Sequence, residues 1–224
     1  MLDTADSHSR LHRTWFGELP CGWADDTFRR SWFTYNPAFD MELHNKFGRT
    51  LESMEEPVIT PNTAARDALT LILFWDQLPR HLYRGTPRAF SFDPLAIRQA
   101  AEGLRHHLDA ELSFDERAFF YMPFMHSEKM EDQTYSLQLF IALRDTTPKG
   151  MRHITGGYLR SAQEHHRIIS KFSRFPHRNE ILGRTSTPAE QAWLDHSSNR
   201  FGQAPKPTSG GVETIQGFVG EPDK

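Results

Sequence analysis

Three separated stretches of this chain carry the residue types that move protons or hold anions. In LFWDQLPRHLYRG, Asp76 falls on the helical line of Leu69 and Ile72, so its carboxylate projects from an inward face. A charge buried alone there would be strongly destabilising, and Arg80, four residues on, is the partner the spacing supplies. Gln77 and Arg84 lie close by provided the helix runs on through Pro79. In FFYMPFMHSEKMEDQ, an apolar run is interrupted at Pro123, and His126, Ser127 and Glu128 follow where the next helix should start. Ser127 suits the cap of that helix and Glu128 its positive end, with Asp132 four residues beyond Glu128. In YLRSAQEHHRIISKFSRFPHRN, Leu159, Ala162, Ile169 and Phe172 mark an apolar stripe bordered by His165 and His166, and His166, Ser170 and Arg174 share one face. Phe175-Pro176 should end the helix, leaving His177, Arg178 and Asn179 in a turn.

If the three stretches meet, their chemistry is that of a small anionic ligand. Arg80, Arg174 and Arg178 would hold the anion, with Gln77 and Asn179 as neutral hydrogen-bonding groups. His126, His166 or His177 would act as acid or base against Asp76 or Glu128, in hydrolysis or another proton transfer. No His-Glu-x-x-His motif occurs, so no residue is assigned to a metal, and no cofactor is named by the sequence. The same groups also read as ion pairs and helix-end charges that staple helices together.

Helices must position these residues. Asn36-Pro37 has the form of a cap followed by a first-turn proline, ahead of Phe39, Leu43, Phe47 and Leu51 at four-residue steps. A largely buried helix runs from Asn62 to about Pro79, and Asp93-Pro94 repeats the cap-and-proline signal. Ser113 with Glu116, and Thr187 with Glu190, form capping boxes. Further helices are predicted over about 127–143 and 151–172, and no alternating strand pattern competes. The fold class is therefore all-α, with seven to eight antiparallel helices in a helical-hairpin bundle. One domain over 1–201 is followed by a Gly- and Pro-rich segment, 202–224, expected to be a mobile tail.

Composition narrows the function classes. A chain of 224 residues with 17 Phe and 5 Trp is too apolar for disorder, and a net charge of −3 offers no general attraction for nucleic acid or an anionic membrane. Cys21 is the one cysteine, which rules out an intramolecular disulfide, and MLDTADSHSRLHRTWFG lacks the apolar run of a signal peptide. A soluble cytoplasmic protein is the expectation.

The segments WFGELP, NPAFDMELHNKFG, LFWDQLPRHLYRGTPRAFSFDP, FFYMPFMHSE and HHRIISKFSRFPHRNEILGRTSTPAEQAWL together resemble domain-of-unknown-function family 924 over roughly residues 14–201. The match includes Asp76, Gln77, Pro79 and Arg80; His126, Ser127 and Glu128; and His166, Arg167 and Arg174 through Asn179. His81 and Leu82 depart from the family's usual residues, and the loop around 146–156 is variable. The resemblance implies a mostly bacterial origin and a tetratricopeptide-like all-helical fold, without an established reaction. Two functions stand side by side: a small-molecule site for an anion, or a helical scaffold binding a peptide or protein partner, with Trp15, Trp23 or Trp32 exposed in its groove.

Overall fold

The computed structural model describes residues 4–56 and 59–196; the expected tail at 202–224 lies outside the described residues. Within them every regular element is helical: α1 (Thr4–Phe16), α2 (Asp26–Phe33), α3 (Pro37–Ser53), α4 (Ala65–Ile72), α5 (Leu78–Leu82), α6 (Asp93–Arg105), α7 (Phe114–His126), α8 (Met130–Thr146), α9 (Arg152–Phe172) and α10 (Pro188–His196). A π turn, Leu73–Gln77, joins α4 to α5, so these ten segments form nine rods among the described residues. No helix among them is long and apolar enough to cross a membrane.

Local signals account for several of the starts. The Asn36 side chain accepts the amides of Ala38 and Phe39 at 3.1 and 3.3 Å, opening α3. Glu116 accepts the Ser113 amide at 2.8 Å at the head of α7. Thr187 and Glu190 exchange bonds of 2.7 and 3.2 Å at α10. At α6 the outcome differs: Phe92 is the cap residue, and Asp93 makes no cap bond because its carboxylate is engaged elsewhere. Two of the three prolines expected to interrupt or end helices lie within continuous rods, Pro123 inside α7 and Pro79 in α5, whereas Pro176 does follow the end of α9.

Two rods precede those expected from the sequence. Polar side chains cover most of α1 and α2, so their buried faces are narrow, but those faces are aromatic. Trp15 and Phe16 of α1 meet Phe119 of α7 edge-on at 5.6 and 5.4 Å, and Trp32 of α2 meets it at 4.6 Å. Trp32 also donates its indole N–H to the Trp15 carbonyl at 2.8 Å. Trp15, Trp23 and Trp32 are thus 0%, 7% and 3% exposed, which corrects the expectation of a tryptophan-lined groove. A smaller apolar group, Ile168, Ile169 and Phe175 with Phe172 and Trp193, secures the chain beyond α9. Charged side chains gather between the two apolar groups, where rods end.

Candidate functional site

The π turn sets the first part of the site. Leu78 donates its N–H to the Leu73 carbonyl five residues back, adding one residue to the turn. Pro79 has no N–H and its ring crowds the preceding turn, so a widened turn is what lets the rod continue. Asp76 and Gln77 consequently both face inward, at 0% and 4% exposure.

Around Asp76 the polar groups close on one another. Its Oδ1 lies 2.7 Å from His126 Nδ1, at the end of α7, and its Oδ2 accepts from Gln77. Arg80 Nη1 sits 3.3 Å from Asp76 Oδ1 and also donates to the Asp76 carbonyl. Arg80 pairs in addition with Asp93, at 2.9 Å to Oδ1 and 3.1 Å to Oδ2. Arg178 reaches the same Asp93 Oδ2 at 3.3 Å and donates to the His126 carbonyl at 3.0 Å. Its guanidinium lies between the rings of Phe90 and Phe175, at 4.5 and 4.6 Å.

Two carboxylates and two guanidiniums balance, and the imidazoles stay neutral beside them. Burial would raise the Asp76 carboxyl, but the charge of Arg80 and the bonds from His126 and Gln77 outweigh it and hold it well below the usual range. Burial lowers His126 despite the attraction of Asp76. It lowers His165 to about 3, with His126 adding to the effect, and takes His177 well below its ordinary value, with Arg178 adding. Arg178 is pulled down to about 10 by burial, only partly offset by Asp93, and its Nε is buried with no hydrogen-bond partner among the described residues. It remains a cation at neutral pH and is incompletely matched.

This arrangement fixes the proton on His126. With Nδ1 donating to Asp76, the neutral ring carries its lone pair on Nε2. Nε2 makes no hydrogen bond among the described residues, and the side chain is 14% exposed. A base held by a buried carboxylate beside a cation is equipped for proton transfer to or from an anion.

The remaining predicted residues distribute unevenly. His165, not His166, enters the cluster: its ring lies 6.0 Å from His126 and 5.4 Å from Phe175, while half-buried His166 points out of it one residue further round α9. His177 packs 5.4 Å from Phe175. Glu128 does not serve the start of α8; it takes Arg184 at 2.7 and 2.9 Å and the Phe175 amide at 2.8 Å. Burial would raise its carboxyl, but these bonds keep it low. Ser127 does not cap α8 either, and donates to Asp132 at 2.6 Å. Arg174 turns away to Glu190, at 2.6 and 2.7 Å, and to the Thr185 carbonyl at 2.9 Å. Asn179 is fully buried and donates to Ser186 Oγ at 3.1 Å, bracing the following turn.

Asp76, Gln77, Arg80, His126 and Arg178 therefore come together, with His177 and Glu128 flanking them. Sequence reasoning missed Asp93, His165 and Arg184. Asp93 was hidden by its capping pattern, and His165 by its neighbour; no local signal marks Arg184. Among the described residues no group of three or more His, Cys, Asp or Glu is placed to hold a metal ion.

Comparison with known proteins is consistent in fold and silent on reaction. A model of bacterial proteins of unknown function, DUF924, matches residues 11–198. A solved protein of unknown function from Agrobacterium tumefaciens is similar at 32% identity, over 87% of this chain and 100% of the other, with a TM-score of 0.68. No curated protein matches the chain.

Proposed function

We propose that this chain, which belongs to the DUF924 family, is an enzyme that transfers a proton to or from a small anionic substrate at the Asp76–His126 pair. The observation that carries this reading is the partly exposed His126, whose Nδ1 is committed to buried Asp76, whose Nε2 is left without a hydrogen bond among the described residues, and whose backbone carbonyl holds the incompletely matched Arg178. His126 takes the proton through Nε2, from water in a hydrolysis or from the substrate itself, and Asp76 stabilises the imidazolium that forms. Arg178 attracts the substrate anion. Arg80, Gln77 and Asp93 position these groups without touching the reacting atoms.

Exposure of large apolar residues favours this over a peptide-binding scaffold. Among the described residues Met41, Met130, Tyr135 and Ile141 are the exposed ones, from α3 and α8, and the three tryptophans that would line a groove are in the core.

The test is thermal shift against phosphorylated and carboxylated metabolites, followed by turnover of any compound that stabilises the protein. His126→Gln should keep the ligand-induced shift and lose turnover, and Arg178→Gln should lose the shift. Arg174→Gln should leave both intact. A ligand that stabilises a folded Arg178→Gln variant as well as the natural protein would defeat the proposal.

A further inference from the structure

A groove between α1, α2 and α3 stands apart from the Asp76 site and has chemistry of its own. Its volume is about 550 Å³, within the span of roughly 300–1,000 Å³ typical of small-molecule sites. Phe28 and Phe39 supply apolar wall, and both are only half-buried. Arg10, Arg13 and Lys46 line it against one carboxylate, Glu42, and that carboxylate is already paired with Lys46 at 2.6 Å. Among the described residues Arg13 makes no ion pair.

The apolar wall is held in place by specific packing. The Phe39 ring sits 6.1 Å from Trp15 and 5.6 Å from His81, so the core grips it on one side. Phe28 rests on Gly17, whose φ of +63° suits glycine, and any Cβ there would overlap the Phe28 ring. The two rings therefore keep their positions beside the cations without a ligand, which reduces the ordering cost of binding.

We infer that this groove binds a small amphipathic carboxylate, its charged head on Arg13 and its apolar body across Phe28 and Phe39. The pairing follows from both observations at once. A head group alone would gain little from an exposed arginine in water. An apolar body alone would ignore Arg13, whereas an acyl or aromatic carboxylate uses both features.

Isothermal titration of the full chain with octanoate, acetate and 1-octanol separates these contributions. Octanoate should bind at least tenfold more tightly than either comparison compound. Arg13→Gln should weaken octanoate at least tenfold while leaving the melting temperature unchanged, since Arg13 is exposed, and Arg13→Lys should restore part of the loss. Equal affinity for octanoate and 1-octanol would overturn the inference, as would undiminished octanoate binding by Arg13→Gln. Binding to phosphatidylglycerol vesicles without binding to free octanoate would likewise overturn it, by pointing to a membrane surface instead.

Discussion

Asp76 and Glu116 are both buried carboxylates with a histidine and an arginine against them, yet they do different work. Asp76 takes His126 through Nδ1 at 2.7 Å, and Glu116 takes His12 through Nε2 at 2.6 Å; each imidazole is 14% exposed. Behind Asp76 the arginine is Arg80, 12% exposed and shared with Asp93. Behind Glu116 it is Arg66, which pairs at 2.8 Å while 64% exposed. Glu116 also accepts the Ser113 amide, so a helix start explains its burial. Burial would raise its carboxyl, but His12, Ser113 and Arg66 hold it at about 2. Asp76 caps nothing and sits in a π turn. Similar residue types thus yield a helix cap in one place and an imidazole oriented against a π turn in the other.

The contrast can be broken most directly by neutralising each carboxylate. Asp76→Asn leaves buried Arg80 and Arg178 with Asp93 alone, and should destabilise the fold by about 3–5 kcal/mol in denaturant titration. Glu116→Gln should cost less, about 1–3 kcal/mol, because Arg66 and His12 turn to water. Equal costs would erase the distinction.

Acidification should separate the two regions next. For His126, His165 and His177 the folded-state value is depressed, so their contribution is complete above the unfolded value near 6.5 and is lost as pH falls towards the folded ones. Each imidazole kept neutral contributes a slope of about 1.4 kcal/mol per pH unit below that point. For Asp76 and Glu116 the depressed carboxyl values place the loss lower, below about pH 4. Denaturant titrations at pH 7, 6 and 5 should therefore show falling stability that His165→Phe makes shallower by one proton. An unchanged slope would mean that His165 is not held neutral.

Arg174 sharpens the boundary of the site. Its bonds run to Glu190 and Thr185, so Arg174→Gln should increase hydrogen exchange in α10 and leave exchange around Asp76 unchanged. Protection lost at Asp76 would place Arg174 within the site. The smallest effect is expected at Ser173, which ends α9 with φ +58° and donates its amide to the Ile169 carbonyl at 2.7 Å. Ser173→Gly should stabilise by about 0.5–1 kcal/mol, visible as a raised melting temperature.

Much of the bundle was legible because short-range chemistry writes it. Asn36, Glu116, Thr187 and Glu190 act within a few residues of themselves, a four-step apolar line identifies α3, and a run apolar on several sides identifies α4. The site was legible only in part, since its contacts join distant residues. Asp93 has the same type and spacing whether it caps α6 or bridges Arg80 to Arg178. His165 and His166 differ by one step around α9, below the angular resolution of the apolar stripe. Pro79 and Pro123 read locally as breaks, and only the surrounding packing carries the rods through them.

The π turn has one more consequence. It splices two helices out of phase: residues up to Ile72 keep the angular clock that buries Leu69, and those from Leu78 keep a clock offset by about 100°. Arg80 and His81 belong to the second clock. Deleting one residue within 73–77 would bring the clocks together and turn α5 away from Asp93, with nearly every side chain of the site still encoded. The site is specified by a length of chain as much as by its residues.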